Sequence, residues 1–139
     1  MRWPAAVSVT ELAQLADVTI GSLYHHFGSK LGIYSAIRDD VERRLLNRME
    51  GAAAAGATVG TVLLVGFDYL LDAGFARLLA EPHPERESDP VEASIATRAD
   101  HDAMPVGRIL LAAWRAALST VAEGHDPQCV RAALREVIR

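Results

Sequence analysis

Three hydroxyl residues, Ser8, Thr19 and Ser29, stand about ten positions apart and divide the first thirty residues into helices too short to be stable alone. Ser8 opens the run Ser8-Val9-Thr10-Glu11, in which the serine caps a helix and Glu11 reaches back to the cap. Val9, Leu12, Ala13 and Ala16 then fall on one face. The helix stops near Asp17, where a tight turn needs left-handed backbone; Asp tolerates that region better than most side chains. Thr19 begins a second short helix over 20–27, Gly28 breaks it, and Ser29 begins a third. From Lys30 the apolar positions Ile33, Ile37, Val41, Leu45 and Met49 recur at long-helix spacing, and Gly51 and Gly56 loosen the end. Two short helices around a tight turn, followed by a long one, make a helix-turn-helix layout.

The remainder is also helical. Residues 58–80 form a strongly apolar stretch, bent or split at Asp72-Ala73-Gly74. Residues 81–90 carry three prolines and many charges and read as a loop. A helix is expected over 91–102, another from Pro105 to about Glu123, and a last one from the Asp126 cap to the chain end. No strand pattern competes, so the expected class is all-α: a helix-turn-helix segment followed by a helical bundle. The expected division is 1–50 and 51–139.

Composition narrows the function. Cys129 is the only cysteine, which excludes a disulfide framework and a cysteine-based zinc site and fits a reduced, cytoplasmic setting. No apolar run is long enough to cross a bilayer. The net charge is −4, and residues 1–50 balance six basic against six acidic side chains. DNA binding by this chain must therefore depend on geometry more than on a positive field. Neither a nucleophile elbow nor a phosphate loop nor a paired-carboxylate constellation is present, so no enzyme and no cofactor is expected.

The segment from Val7 to Lys30 resembles the DNA-binding motif of the tetracycline-repressor (TetR) family. The most specific part is Gly21-x-Leu23-Tyr24-x-His26-Phe27-x-x-Lys30. The resemblance implies a repressor that binds a palindromic double-stranded operator as a homodimer and is released by a small-molecule ligand. Residue chemistry agrees. The second helix of such a motif enters the major groove by its amino-terminal end. Thr10, Thr19, Ile20, Gly21, Ser22, Tyr24, His25, His26 and Lys30 are the expected DNA-contacting residues. Ile20 suits a thymine methyl, Gly21 permits close backbone approach, and Tyr24 and His25 suit phosphates or bases. Lys30 is the only lysine and sits at a helix start, where positive charge is mildly unfavourable; a phosphate contact explains it. Leu23 and Phe27 face the domain core. His25 and His26 are adjacent, point apart on a helix and make no metal site.

In the family a helix precedes this motif. Only seven residues precede Ser8 here, and Pro4 interrupts them, so the chain is expected to lack that opening helix and to be short at its carboxyl end. For the ligand pocket, Phe67, Leu71, Phe75, Leu78, Met104, Leu111 and Trp114 are the apolar candidates, with Thr97, Arg98 and His101 as polar ones. Arg98, His101 and Asp102 are expected on one helical face. The alternative function is a helical binding or dimerisation homologue that no longer reads DNA, favoured by the neutral amino-terminal half.

Overall fold

The computed structural model describes Thr10, Ala13, Gln14 and residues 17–139, excluding the side chains of Leu23, His26 and Phe27. These residues contain seven helices: α1 (Ile20–Phe27), α2 (Lys30–Ala54), α3 (Val59–Ala73), α4 (Ala76–Leu79), α5 (Pro90–Ala99), α6 (Val106–Ala122) and α7 (Pro127–Ile138). The chain is all-α, and the one β-bridge among the described residues joins His101 to Met104.

Helix α2 is the spine. Its 25 residues run through Gly51, which does not loosen it; the helix ends at Ala54, and Gly56 turns left-handed beyond it. It therefore crosses the expected boundary at residue 50. Its buried face holds Ile33, Val41, Leu45 and Met49 as the spacing predicts, with Ile37 half-buried. A second stripe, Tyr34, Arg38 and Glu42 at i, i+4 and i+8, is buried beside it. Helix α3 packs along α2 through Val62, Leu63, Phe67 and Leu70. Gly66 makes this closeness possible, since a Cβ there would lie 3.0 Å from Met49 Sδ and 3.1 Å from a Leu45 methyl. Left-handed Gly74 ends α3 and splits the 58–80 stretch where the sequence indicated.

Helix α6 forms the other side of the core. Trp114 is fully buried and donates its indole N–H to the Leu63 carbonyl at 2.9 Å. Asp126 caps α7, which packs on α6 and α3 and is tied to α3 by Arg131, whose guanidinium donates to both Asp68 oxygens at 2.8 and 3.0 Å. Arg98 of α5 reaches back to Glu50 of α2 at 2.5 Å. The Arg98 hydrogen bond, then that of Ser94, holds the Glu50 carboxyl below the usual carboxylate range.

The helix expected over 91–102 stops at Ala99, so His101 and Asp102 do not share a helical face with Arg98. Asp100 leaves the helix with extended backbone and accepts the Gly107 N–H at 2.6 Å, while Asp102 and Ala103 turn left-handed between the bridged His101 and Met104. That corner lets α5 and α6 touch backbone to backbone: a Cβ at Gly107 would meet Ala96 Cα at 2.7 Å.

Candidate nucleic-acid interface

The turn before α1 has the chemistry its sequence calls for. Asp17 is left-handed at φ 55°. Its N–H donates to the Gln14 carbonyl at 3.2 Å, and the Val18 N–H donates to Ala13 at 3.1 Å. This is the paired hydrogen-bond pattern of a Schellman closure, with Asp in the position glycine usually takes. Thr19 then caps α1, its hydroxyl accepting the Ser22 N–H at 3.1 Å. Left-handed Gly28 closes α1, and the Ser29 hydroxyl accepts the Gly32 N–H at 3.0 Å to start α2. The cap expected at Ser8, with Val9, Glu11, Leu12 and Ala16, lies outside the described residues; Ala13 is buried.

These caps leave α1 presented as a surface helix. Thr10, Thr19, Ile20, Gly21, Ser22, Tyr24 and His25 are all exposed. A Cβ on Gly21 would meet nothing within 4 Å, so the backbone there is open to close approach. Lys30 is half-buried at the first turn of α2, and the His26 side chain lies outside the described residues. Of the large apolar side chains exposed among the described residues, Val18, Ile20 and Tyr24 are grouped on this short segment. Such a group on a soluble surface marks a contact face.

The electrostatics suit an anion approaching the helix ends. Helices α1 and α2 are capped by neutral hydroxyls and have no acidic residue in the first turn, so the positive ends of their dipoles are not cancelled. The arginines further along α2 are engaged within the protein. Arg38 pairs with Glu42, Arg43 and Arg44 pair with Asp40, and Arg48 stacks over the Tyr69 ring at 5.1 Å. Among the described residues up to Ala54, the exposed groups outside these arginine contacts therefore concentrate on the turn and α1.

The structure disperses the side chains expected to line a ligand pocket. Phe67, Leu78, Leu111 and Trp114 are core residues, and Leu71 and Phe75 pack against them. Thr97 is exposed with its hydroxyl on the Ala93 carbonyl, Arg98 is held by Glu50, and His101 and Met104 stand exposed on the corner between α5 and α6. The groove between α6 and α7, about 700 Å³, takes none of the ten. A cavity of about 260 Å³ between the 82–89 segment and α6 takes Leu111 alone, beside Arg86, Arg108 and Arg115. The buried Tyr34–Arg38–Glu42 stripe was missed from sequence, although its i, i+4, i+8 spacing was there to be seen. Burial raises the pKa of Tyr34 above its ordinary value.

Residues 4–37 match the model of the family described as bacterial regulatory proteins, tetR family. Among curated proteins none matches the chain.

Proposed function

We propose, starting from a chain that belongs to the tetR family of bacterial regulatory proteins through residues 4–37, that it is a repressor whose α1 reads an operator while α2 anchors the DNA backbone. Regulators of this family bind DNA and are not enzymes. The observation that carries the finer reading is the exposed α1 face: Ile20, Gly21, Ser22, Tyr24 and His25 stand clear of the core behind a neutral Thr19 cap. Phosphate contacts position a protein on DNA, and base contacts specify the sequence. Lys30→Ala is expected to weaken binding to all duplexes nearly alike and to lower the salt slope by about one. Ser22→Ala and His25→Ala are expected to change which sequence is preferred, by about 1–3 kcal/mol at the affected position. Binding to a randomised duplex library, read at two salt concentrations, checks both. A change of preference in Lys30→Ala at unchanged overall affinity would reverse the roles, and a wild-type chain that binds no duplex selectively would favour a helical dimerisation protein that does not read DNA.

The second element is a homodimer. Along α6, Ile109, Ala113, Ala116 and Thr120 follow one another at helical spacing; along α7, Cys129, Ala133 and Val137 do the same. All but Ile109 line the groove of about 700 Å³. Ile109 and Val137 are 66% and 67% exposed, more than any other large apolar side chain described. Small side chains between apolar ones let helices of a second copy approach closely. The two α1 helices would then face successive major grooves about one DNA turn, roughly 34–36 Å, apart. Ala133→Arg places a charge on this exposed face without touching the core. It is expected to yield a monomer in sedimentation and to weaken operator binding by about 100-fold or more, since the second half-site is lost. A variant that stays dimeric would move the interface elsewhere.

Release by a small ligand is the third element. Phe67, Leu78 and Trp114 are fully buried in the main core. The cavity beside Leu111 is lined by Arg86, Arg108 and Arg115 and equally by Glu87, Asp89 and Glu92, so it suits a polar ligand that can meet both charges.

A further inference from the structure

We propose that Asp39, Glu42 and His83 form a binding site for a first-row divalent cation such as Zn²⁺, Co²⁺ or Ni²⁺, joining α2 to the 82–89 segment. One ring nitrogen of His83 and one carboxylate oxygen each from Asp39 and Glu42 lie within 4.8 Å of one another. Asp39 and Glu42 are three apart on α2, so they share a helical face. His83 Nε2 and Asp39 Oδ1 are 2.9 Å apart. Two ligands at right angles, each about 2.0–2.2 Å from one metal, lie about 2.8–3.1 Å apart, so this pair already has the spacing of neighbouring ligands of an octahedral ion.

Glu42 supplies an independent reason. Its side chain is 3% exposed, and Oε2 accepts from Arg38 Nε at 3.2 Å. Oε1 is buried with no hydrogen-bond partner among the described residues. A buried carboxylate oxygen without a donor is costly, and Nη2 of the paired Arg38 is also buried without a partner among the described residues, so the charges of this pair are incompletely satisfied within the protein; a cation shared by the Glu42 carboxylate, Asp39 and His83 offsets that cost. Asp39, 46% exposed, leaves a way in from solvent. An imidazole with two carboxylates suits the borderline divalent ions over both Ca²⁺, which takes oxygen alone, and Cu⁺, which takes sulfur. Three protein ligands leave positions for water or a small ligand.

Loading has a structural consequence. His83 Nδ1 accepts the Glu85 N–H at 3.1 Å, so the neutral ring carries its proton on Nε2 and donates it to Asp39. Coordination through Nε2 transfers that proton to Nδ1, by way of solvent, with no net gain or loss. Two N–H groups then oppose each other, and the Glu85 amide must swing away. The Glu85 carboxylate accepts the Ser35 hydroxyl of α2 at 2.7 Å, so this movement changes how the segment rests on α2. Arg86, now 3.0 Å from Asp39 and 44% exposed, moves into solvent as the cation takes its place.

Cobalt titration of the 139-residue chain, followed by its visible d–d absorption, tests the site without reference to DNA. One equivalent is expected to bind and to be displaced by Zn²⁺. Loss of an outer-shell partner costs about 10–100-fold in metal affinity, so loss of a direct ligand should cost more than roughly 100-fold. Asp39→Asn and His83→Gln are therefore expected to lose that much, whereas His101→Ala and His125→Ala bind as the parent does. The Glu85 amide resonance is expected to shift on loading of the parent and to stay put in Asp39→Asn. Asp39 lies at the surface, so Asp39→Asn keeps its fold, verified by circular dichroism, and decides the matter even if His83→Gln unfolds. No cobalt spectrum from the folded parent, or equal binding by Asp39→Asn, would overturn the assignment.

Discussion

Trp114→Ala is expected to lower the unfolding free energy by about 3–5 kcal/mol, the range for truncating a large buried aromatic. Trp114 is fully buried on α6 among the side chains of the main core. Its removal leaves a cavity between α3 and α6 that the surrounding helices fill only in part. The Leu63 carbonyl also loses its indole donor and keeps only its place in the helical ladder, a net loss of about 0.5–1.5 kcal/mol. Trp114→Phe separates these contributions, since it keeps much of the volume and loses the hydrogen bond. Urea denaturation followed by far-ultraviolet circular dichroism gives both values. If Trp114→Ala cost less than about 1 kcal/mol, the tryptophan would not be the core residue that its burial makes it.

Arg38→Met is expected to destabilise by about 3–5 kcal/mol, as breaking one side of a buried ion pair does. Arg38 is fully buried, with its Nε on Glu42 and its Nη1 donating to the Leu78 carbonyl at 2.6 Å and to the Tyr34 hydroxyl at 3.3 Å. Its loss leaves Glu42 as a lone buried charge and removes the tie from α2 to α4. The informative control is the double variant Arg38→Met with Glu42→Leu, which removes both charges and replaces them with apolar volume. It is expected to recover most of the loss, because a buried pair contributes little net stability over a well-packed apolar pair. A double variant as unstable as the single one would mean that the Leu78 carbonyl, rather than the orphaned carboxylate, dominates. The same denaturation experiment distinguishes the two results.

The Arg38 cluster and the proposed cation site lie on the face of α2 that meets the carboxyl-terminal body, while α1 and Lys30 lie at its other end. The neutral charge balance of residues 1–50 follows from the same arrangement. Asp39, Asp40, Glu42 and Glu50 are each paired with an arginine within the protein.

Local chemistry was legible without the structure. Thr19, Ser29 and Asp126 cap helices, Gly74 breaks one, and Asp17 turns left-handed, because each acts through its own backbone and the next three residues. The all-α class and the exposure of α1 follow from the same short-range signals, and the likeness of residues 4–37 to the tetR family model rests on residue types at fixed spacing. Three things were decided only by tertiary packing. The 91–102 helix ends early because Asp100 is claimed by the Gly107 N–H, a partner seven residues away across a corner. Phe67 and Trp114 share one core because α3 and α6 press together through Trp114 and Leu63, 51 residues apart. His83 meets Asp39 across 44 residues. A periodic pattern records which face of a helix is buried, but not which distant side chain it is buried against. For that reason the burial of the stripe Tyr34–Arg38–Glu42 could not be read from its spacing; it depends on the Leu78 carbonyl, 40 residues from Arg38, being brought to it.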